Sequence, residues 1–131
     1  MRYLDEVCLK ILSVDNSIRF VGIVDIEGNI MTTKYRSGLV PLLSKQETAQ
    51  SISHSVMRMR TRRQLEAKLG RTIYVISFYE KVKRIAMPIG KTGEYILIMS
   101  LDINSDHGII IRDRIMPLLE PYASVSDDYI I

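Results

Sequence analysis

Ile18-Arg19-Phe20-Val21-Gly22-Ile23-Val24-Asp25-Ile26-Glu27-Gly28-Asn29-Ile30-Met31-Thr32-Thr33-Lys34-Tyr35 is the stretch on which the fold turns. Residues 18–25 are rich in β-branched and aromatic side chains and read as a strand, and residues 30–35 read as a second. Between them Ile26-Glu27-Gly28-Asn29 is a turn, with Gly28 or Asn29 able to take positive φ. The two runs make a β-hairpin, and Asp25 and Glu27 beside its turn are turn formers rather than an acid–base pair.

Upstream, Leu4, Val7, Cys8, Ile11 and Leu12 recur at helical spacing, so residues 2–13 form an amphipathic helix stopped by Asp15-Asn16-Ser17. Cys8 lies inside the apolar stripe and reads as a small buried apolar residue. Downstream, Arg36-Ser37-Gly38 ends the hairpin, and Leu39–Leu43 is an apolar connector expected to pack under the sheet.

Ser44-Lys45-Gln46-Glu47 is a capping box: the serine oxygen accepts from the N3 amide and the glutamate reaches back to the N-cap amide. The helix it opens runs to about residue 60, with Ala49, Ile52, Val56 and Met59 on one face and Met57 off it. Leu65 and Leu69 either extend the apolar side or form a separate short turn before the stop at Gly70.

Three strands follow. Arg71–Tyr79 carries Ile73 and Val75 on one face and Tyr74, Ile76 and Phe78 on the other. Glu80-Lys81 is the turn to Val82–Ile89, with Pro88 near its end. Gly90-Lys91-Thr92-Gly93 is the turn to Glu94–Leu101, the most apolar strand and hence the expected centre of the sheet. The Gly-Lys-Thr is not a phosphate-binding loop, because Ile85 stands where a glycine is required and a strand follows instead of a helix.

A last helix begins at Asn104, Ser105 or Asp106, and Pro117 is expected to break or kink it. The order α-β-β-α-β-β-β-α predicts an α+β domain over residues 1–120, a five-stranded antiparallel sheet with helices on its faces, followed by a tail at 121–131.

The 131 residues are 47% apolar and 25% charged, the composition of an ordinary globule and not of a disordered chain. One cysteine excludes an internal disulfide and an all-cysteine zinc site, and two scattered histidines give no metal-ligand spacing. No metal or other cofactor is expected. No apolar run approaches the ~18 residues of a membrane span, and the charged N-terminus is unlike a signal peptide, so no membrane association is expected and the expected compartment is the cytoplasm.

The net charge of +3 conceals an asymmetry: between Arg58 and Lys91 ten basic residues face only Glu66 and Glu80, and the remainder of the chain is net acidic. Within that segment Met57-Arg58-Met59-Arg60-Thr61-Arg62-Arg63 is the most distinctive string. Arg58 and Arg62 share a helix face, as Arg60 and Arg63 can, and guanidinium groups fork onto carboxylate or phosphate. The four arginines are the candidate partner-binding residues, weighed against cations merely favoured at a helix C-terminus. An acidic protein ranks above nucleic acid because no stacking aromatics interleave with them. His54 and His107 have no carboxylate or nucleophile at catalytic spacing, and no enzymatic activity is expected.

The hairpin Gly22–Ile30, with its G-x-hydrophobic-D-x-x-G pattern, and Met87-Pro88-Ile89-Gly90 followed by Tyr95-Ile96-Leu97-Ile98, taken with the element order, resemble the roadblock/dynein light-chain family of the roadblock–longin and profilin-like group. The resemblance spans roughly residues 3–120. Glu80-Lys81-Val82-Lys83-Arg84 is also similar to a stretch of small archaeal proteins.

The resemblance implies strand order 2-1-5-4-3, a long second helix on one face, and a homodimer or a dimer with a paralogue. In that dimer second helices lie side by side and third strands pair edge to edge, which makes Ile52, Val56, Met59, Ile73, Tyr74, Val75 and Ile76 the expected interface. It further implies a non-catalytic scaffold or regulator of a small GTPase. Independently, an edge strand bulky on both faces needs covering by another chain. The alternatives are a small-molecule sensor of PAS/GAF-like architecture, which requires a closed apolar pocket between sheet and helix, and a nucleic-acid binder using Arg58–Arg63.

Overall fold

A computed structural model describes residues 2–123. Helix α1 (Arg2–Ser13) leads into the hairpin β1 (Ile18–Asp25) and β2 (Ile30–Tyr35). Then come α2 (Lys45–Arg63), the single turn α3 (Glu66–Leu69), and the meander β3 (Val75–Phe78), β4 (Val82–Ile89) and β5 (Tyr95–Asp102). The chain closes with α4 (His107–Ile109), a π-helical segment (Ile110–Ile115) and α5 (Met116–Ala123). All neighbouring strands are antiparallel, in the order β2-β1-β5-β4-β3 that the resemblance implies.

The hairpin turn is made by Asp25, whose carboxylate accepts from the amides of Glu27 at 3.0 Å and Asn29 at 2.8 Å, while Gly28 takes a φ of +98°. The most apolar strand, β5, sits at the centre. Its alternation sends Tyr95, Leu97, Met99 and Leu101 to a core under α1 and the C-terminal helices, and Ile96 and Ile98 to a smaller core under α2.

α2 begins at the expected capping box: the Glu47 amide donates to Ser44 Oγ at 3.1 Å and the Ser44 amide to Glu47 Oε1 at 2.9 Å. It lays Ile52, Val56 and Met59 against Phe20, Val24, Ile96 and Ile98. Each such burial contributes about 1.5–3 kcal/mol. Ala49 is exposed, one turn short of the contact, and Met57 faces solvent as expected. Leu65 and Leu69 form the separate turn α3 and bury little.

Three expectations are corrected. The β3 strand is four residues long, not nine. Tyr79 N–H bonds the Val82 carbonyl, so even-numbered residues of β4 turn their amide groups toward β3, and at Pro88 there is no N–H to give. Pairing therefore stops after Val75–Ala86. The connector does not pack under the sheet, because α2 already occupies that face: Val40, Leu42 and Leu43 are exposed and only Leu39 is half-buried.

Finally, Pro117 neither breaks nor ends the last helix. The π-helical segment shifts the hydrogen bonds to Met116 N–H→Ile111 O, and this wider turn immediately before Pro117, the second residue of α5, lets the helix continue through a residue with no N–H. The helix runs through 121–123 of the expected tail, and the remainder of that tail lies outside the described residues.

Candidate functional site

The uneven charge of the sequence becomes a basic flank where α2 crosses β4. Helical spacing puts Arg58 and Arg62 on one side of α2, and strand alternation puts Arg84 on the same face of the sheet as Val82 and Ala86. The three guanidinium groups line one shallow cleft together with Ser55 and Ser77. Arg84 is half-buried and donates to Ser51 Oγ. Burial pulls its guanidinium below the ordinary arginine value, against the smaller opposing influence of the Tyr79 and Tyr35 hydroxyls. Among the described residues no carboxylate lies within 4.0 Å of Arg58, Arg62 or Arg84.

The other two arginines of the string do not join them. Arg63 donates to the Gly93 carbonyl in the β4–β5 turn, and Arg60 is exposed and outside the cleft. Nor does the interface expected of α2 face outward. Ile52, Val56 and Met59 are 1–3% exposed against the chain's own sheet, so a neighbouring copy would meet other residues of this helix. On β3, Val75 packs on the α2 side and Ile76 on the α1 side together with Tyr74 just before the strand, while Ile73, which precedes Tyr74, is 61% exposed and Phe78 at the strand's end 62%. The alternation that aims Val75 and Ser77 at β4 turns the amide groups of Ile76 and Phe78 away from the sheet, leaving an edge unpaired among the described residues.

A larger cavity, about 410 Å³, opens beside the basic flank between the first half of α2, the residue 39–43 connector and the ends of β1, β2, β4 and β5. Arg84 and Arg58 line it, and so does His54, whose ring is exposed. It is open to solvent. The space between α2 and the sheet is filled by Ile52, Val56 and Met59, so the closed apolar pocket that a PAS/GAF-like sensor requires is not formed there.

On the opposite face, His107 Nδ1 lies 3.1 Å from Lys83 Nζ, which also donates to the Ser105 carbonyl at 2.5 Å and sits 5.5 Å from the Phe78 ring. Cys8 is buried, and desolvation pushes its thiol up to about 12, away from the reactive thiolate. Among the described residues no three His, Cys, Asp or Glu side chains come together as metal ligands, and no helix is long and apolar enough to cross a membrane.

Arg84 and Lys83 were absent from the residues singled out in the sequence, although a signal for both exists. In Val82–Ile89, alternation sets Arg84 among Val82, Ala86 and Pro88, and Lys83 among Ile85, Met87 and Ile89, so each face of a two-sided strand carries a charge.

No protein-family model matches the chain, and no curated protein matches it in sequence. Solved structures do match in shape. MglB of Myxococcus xanthus superimposes with a TM-score of 0.74 at 14% identity, over 98% of this chain and 90% of that one. A structure described as MglB with a tetrameric arrangement gives 0.69 at 15%, over 98% and 90%. The roadblock/LC7 domain from Streptomyces avermitilis gives 0.68 at 10%, over 92% and 98%. With identities this low the likeness establishes architecture, and it agrees with the strand order and the helix placement found independently: the chain has the roadblock/LC7 fold.

Proposed function

We propose that this chain is a non-catalytic interaction module that pairs with a second copy or a paralogue and, as a pair, scaffolds or regulates an acidic partner of the small-GTPase type. The unpaired edge of β3, flanked by exposed Ile73, Phe78 and Tyr79, carries the reading. Its open hydrogen-bonding groups and apolar flanks make it a template for antiparallel pairing with its like.

The shared fold of MglB, one structure of which has a tetrameric arrangement, supports self-association. Because Ile52, Val56 and Met59 are committed to the core, the contact between copies rests on Ile73–Phe78 and on the outward side of α2. The flank of Arg58 and Arg62, with no acidic neighbour among the described residues, suits the carboxylates of an acidic surface.

Light scattering after size exclusion tests the pairing directly. A mass of two or more 15.0 kDa chains at micromolar concentration is expected, and a monomer would overturn the reading.

A further inference from the structure

We propose that the 410 Å³ cavity at the N-terminal half of α2 is a binding site for a small organic anion, an aromatic or otherwise flat apolar body carrying a phosphate or carboxylate, with Arg84 holding the anionic group. Three independent observations converge on it, none of which depends on the pairing of copies.

The first is an unspent cation. A guanidinium carries five donors, and Ser51 Oγ is the acceptor Arg84 meets among the described residues. Of the carboxylates nearby, Glu47 lines the cavity but caps α2, accepting from the Ser44 amide at 2.9 Å and not from Arg84, and Asp102 is taken by Arg19 at 3.1 Å and Arg36 at 2.8 Å. A half-buried guanidinium with Arg58 and Arg62 as neighbours and no counter-ion among the described residues is an arrangement that an anion would relieve.

The second is the aromatic wall. Phe20 and Tyr35 pair across β1 and β2 with ring centroids 4.9 Å apart, and Tyr79 lines the same cavity from the β3–β4 turn. The paired Phe20 and Tyr35 rings and the Tyr79 ring give an aromatic wall against which a flat body can lie.

The third is the connector. Leu42 and Leu43 remain 59% and 39% exposed at the rim instead of entering the core, where an apolar ligand would cover them. The volume is that of a small-molecule site.

The probe for this site is 1-naphthyl phosphate, with inorganic phosphate as the charge alone and 1-naphthol as the body alone, titrated by calorimetry and by amide chemical shifts. Sub-millimolar binding of naphthyl phosphate is expected, with each fragment at least about tenfold weaker. Arg84→Met should weaken the probe at least about tenfold. Arg114→Met, on the far side against Asp15, should leave it unchanged.

Should Arg84→Met fail to fold, Tyr79→Ala, at a residue 54% exposed in a turn, serves instead and should weaken the probe several-fold. No binding at millimolar probe, equal affinity for inorganic phosphate, or retention of affinity in the folded Arg84→Met or Tyr79→Ala protein would each overturn the proposal. The oligomeric state, measured on the same samples, reports separately on the pairing of copies.

Discussion

Arg36 Nη1 lies 2.8 Å from Asp102 Oδ2, joining the residue after β2 to the end of β5 across the width of β1. Arg19 on β1 takes the other carboxylate oxygen at 3.1 Å, so a single aspartate fastens three strands at one end of the sheet. Burial works to raise the Asp102 carboxyl, but the hydrogen bonds from Arg36 and Arg19 outweigh it and hold the group below the ordinary aspartate value of 3.8. A depressed carboxylate stabilises the fold at pH well above that value and loses its contribution as pH falls below it toward the folded value. Asp102→Asn is expected to cost about 1 kcal/mol at neutral pH, the modest figure reflecting solvent screening of a partly exposed pair. Urea midpoints of wild type and variant, measured down the pH scale, should converge at acid pH.

The edge of β3 makes a sharper prediction about association. Ile73→Glu with Phe78→Glu places like charges on a strand edge at two positions that the folded monomer leaves exposed, and the substitution at 78, directly opposite Lys83, adds no like-charge pair within the monomer. The dissociation constant of the pair of copies should rise at least about tenfold, with the thermal midpoint of the monomer little changed. Analytical ultracentrifugation across concentrations reads the first and circular dichroism the second.

α2 has one face committed to the core and one free. Ile52→Ala and Met59→Ala, each at a residue 1% exposed, should cost about 2–4 kcal/mol, whereas Met57→Ala, two residues away and 62% exposed, should stay within about 0.5 kcal/mol. Chemical denaturation of the three variants separates the two faces.

Arg58→Glu with Arg62→Glu reverses the sign of the basic flank without touching the core. Pull-down from native extract with wild type and this variant should recover different sets of acidic proteins. Identical sets would show that these arginines are not a recognition surface.

Cys8 should be inert in the folded protein. A thiol-specific chromogenic reagent at neutral pH is expected to react at the rate of unfolding and at full speed only in denaturant. Since the folded thiol sits at about 12 against an ordinary 9.0, its ionisation favours the unfolded chain, and stability should decline as pH rises above 9.0.

Much of this architecture was legible before folding because it is encoded locally. The Asp25–Asn29 turn, the Ser44–Glu47 capping box and the Gly90–Gly93 turn are each specified by side chains that bond the backbone within four residues or by glycines with positive φ. The apolar run Tyr95–Leu101 identified the central strand because only a strand covered on both faces can be apolar at nearly every position. The π-helical shift before Pro117 was not legible, since period alone does not distinguish a helix that ends from one that changes its hydrogen-bond partners.

The chain's own residues, taken in order, determined the element types, the meander and the placement of a basic cluster between Arg58 and Lys91, all properties of short-range pattern and composition. Only the tertiary structure decided which cations stand together. It turned Arg63 to the Gly93 carbonyl, left Arg60 in solvent, and brought Arg84 from a strand more than twenty residues away to stand beside Arg58 and Arg62. Charge can be counted along a sequence, but whether a cation is neutralised depends on which groups the fold places within a few ångströms of it. That is settled by the packing of α2 across the sheet rather than by proximity along the chain.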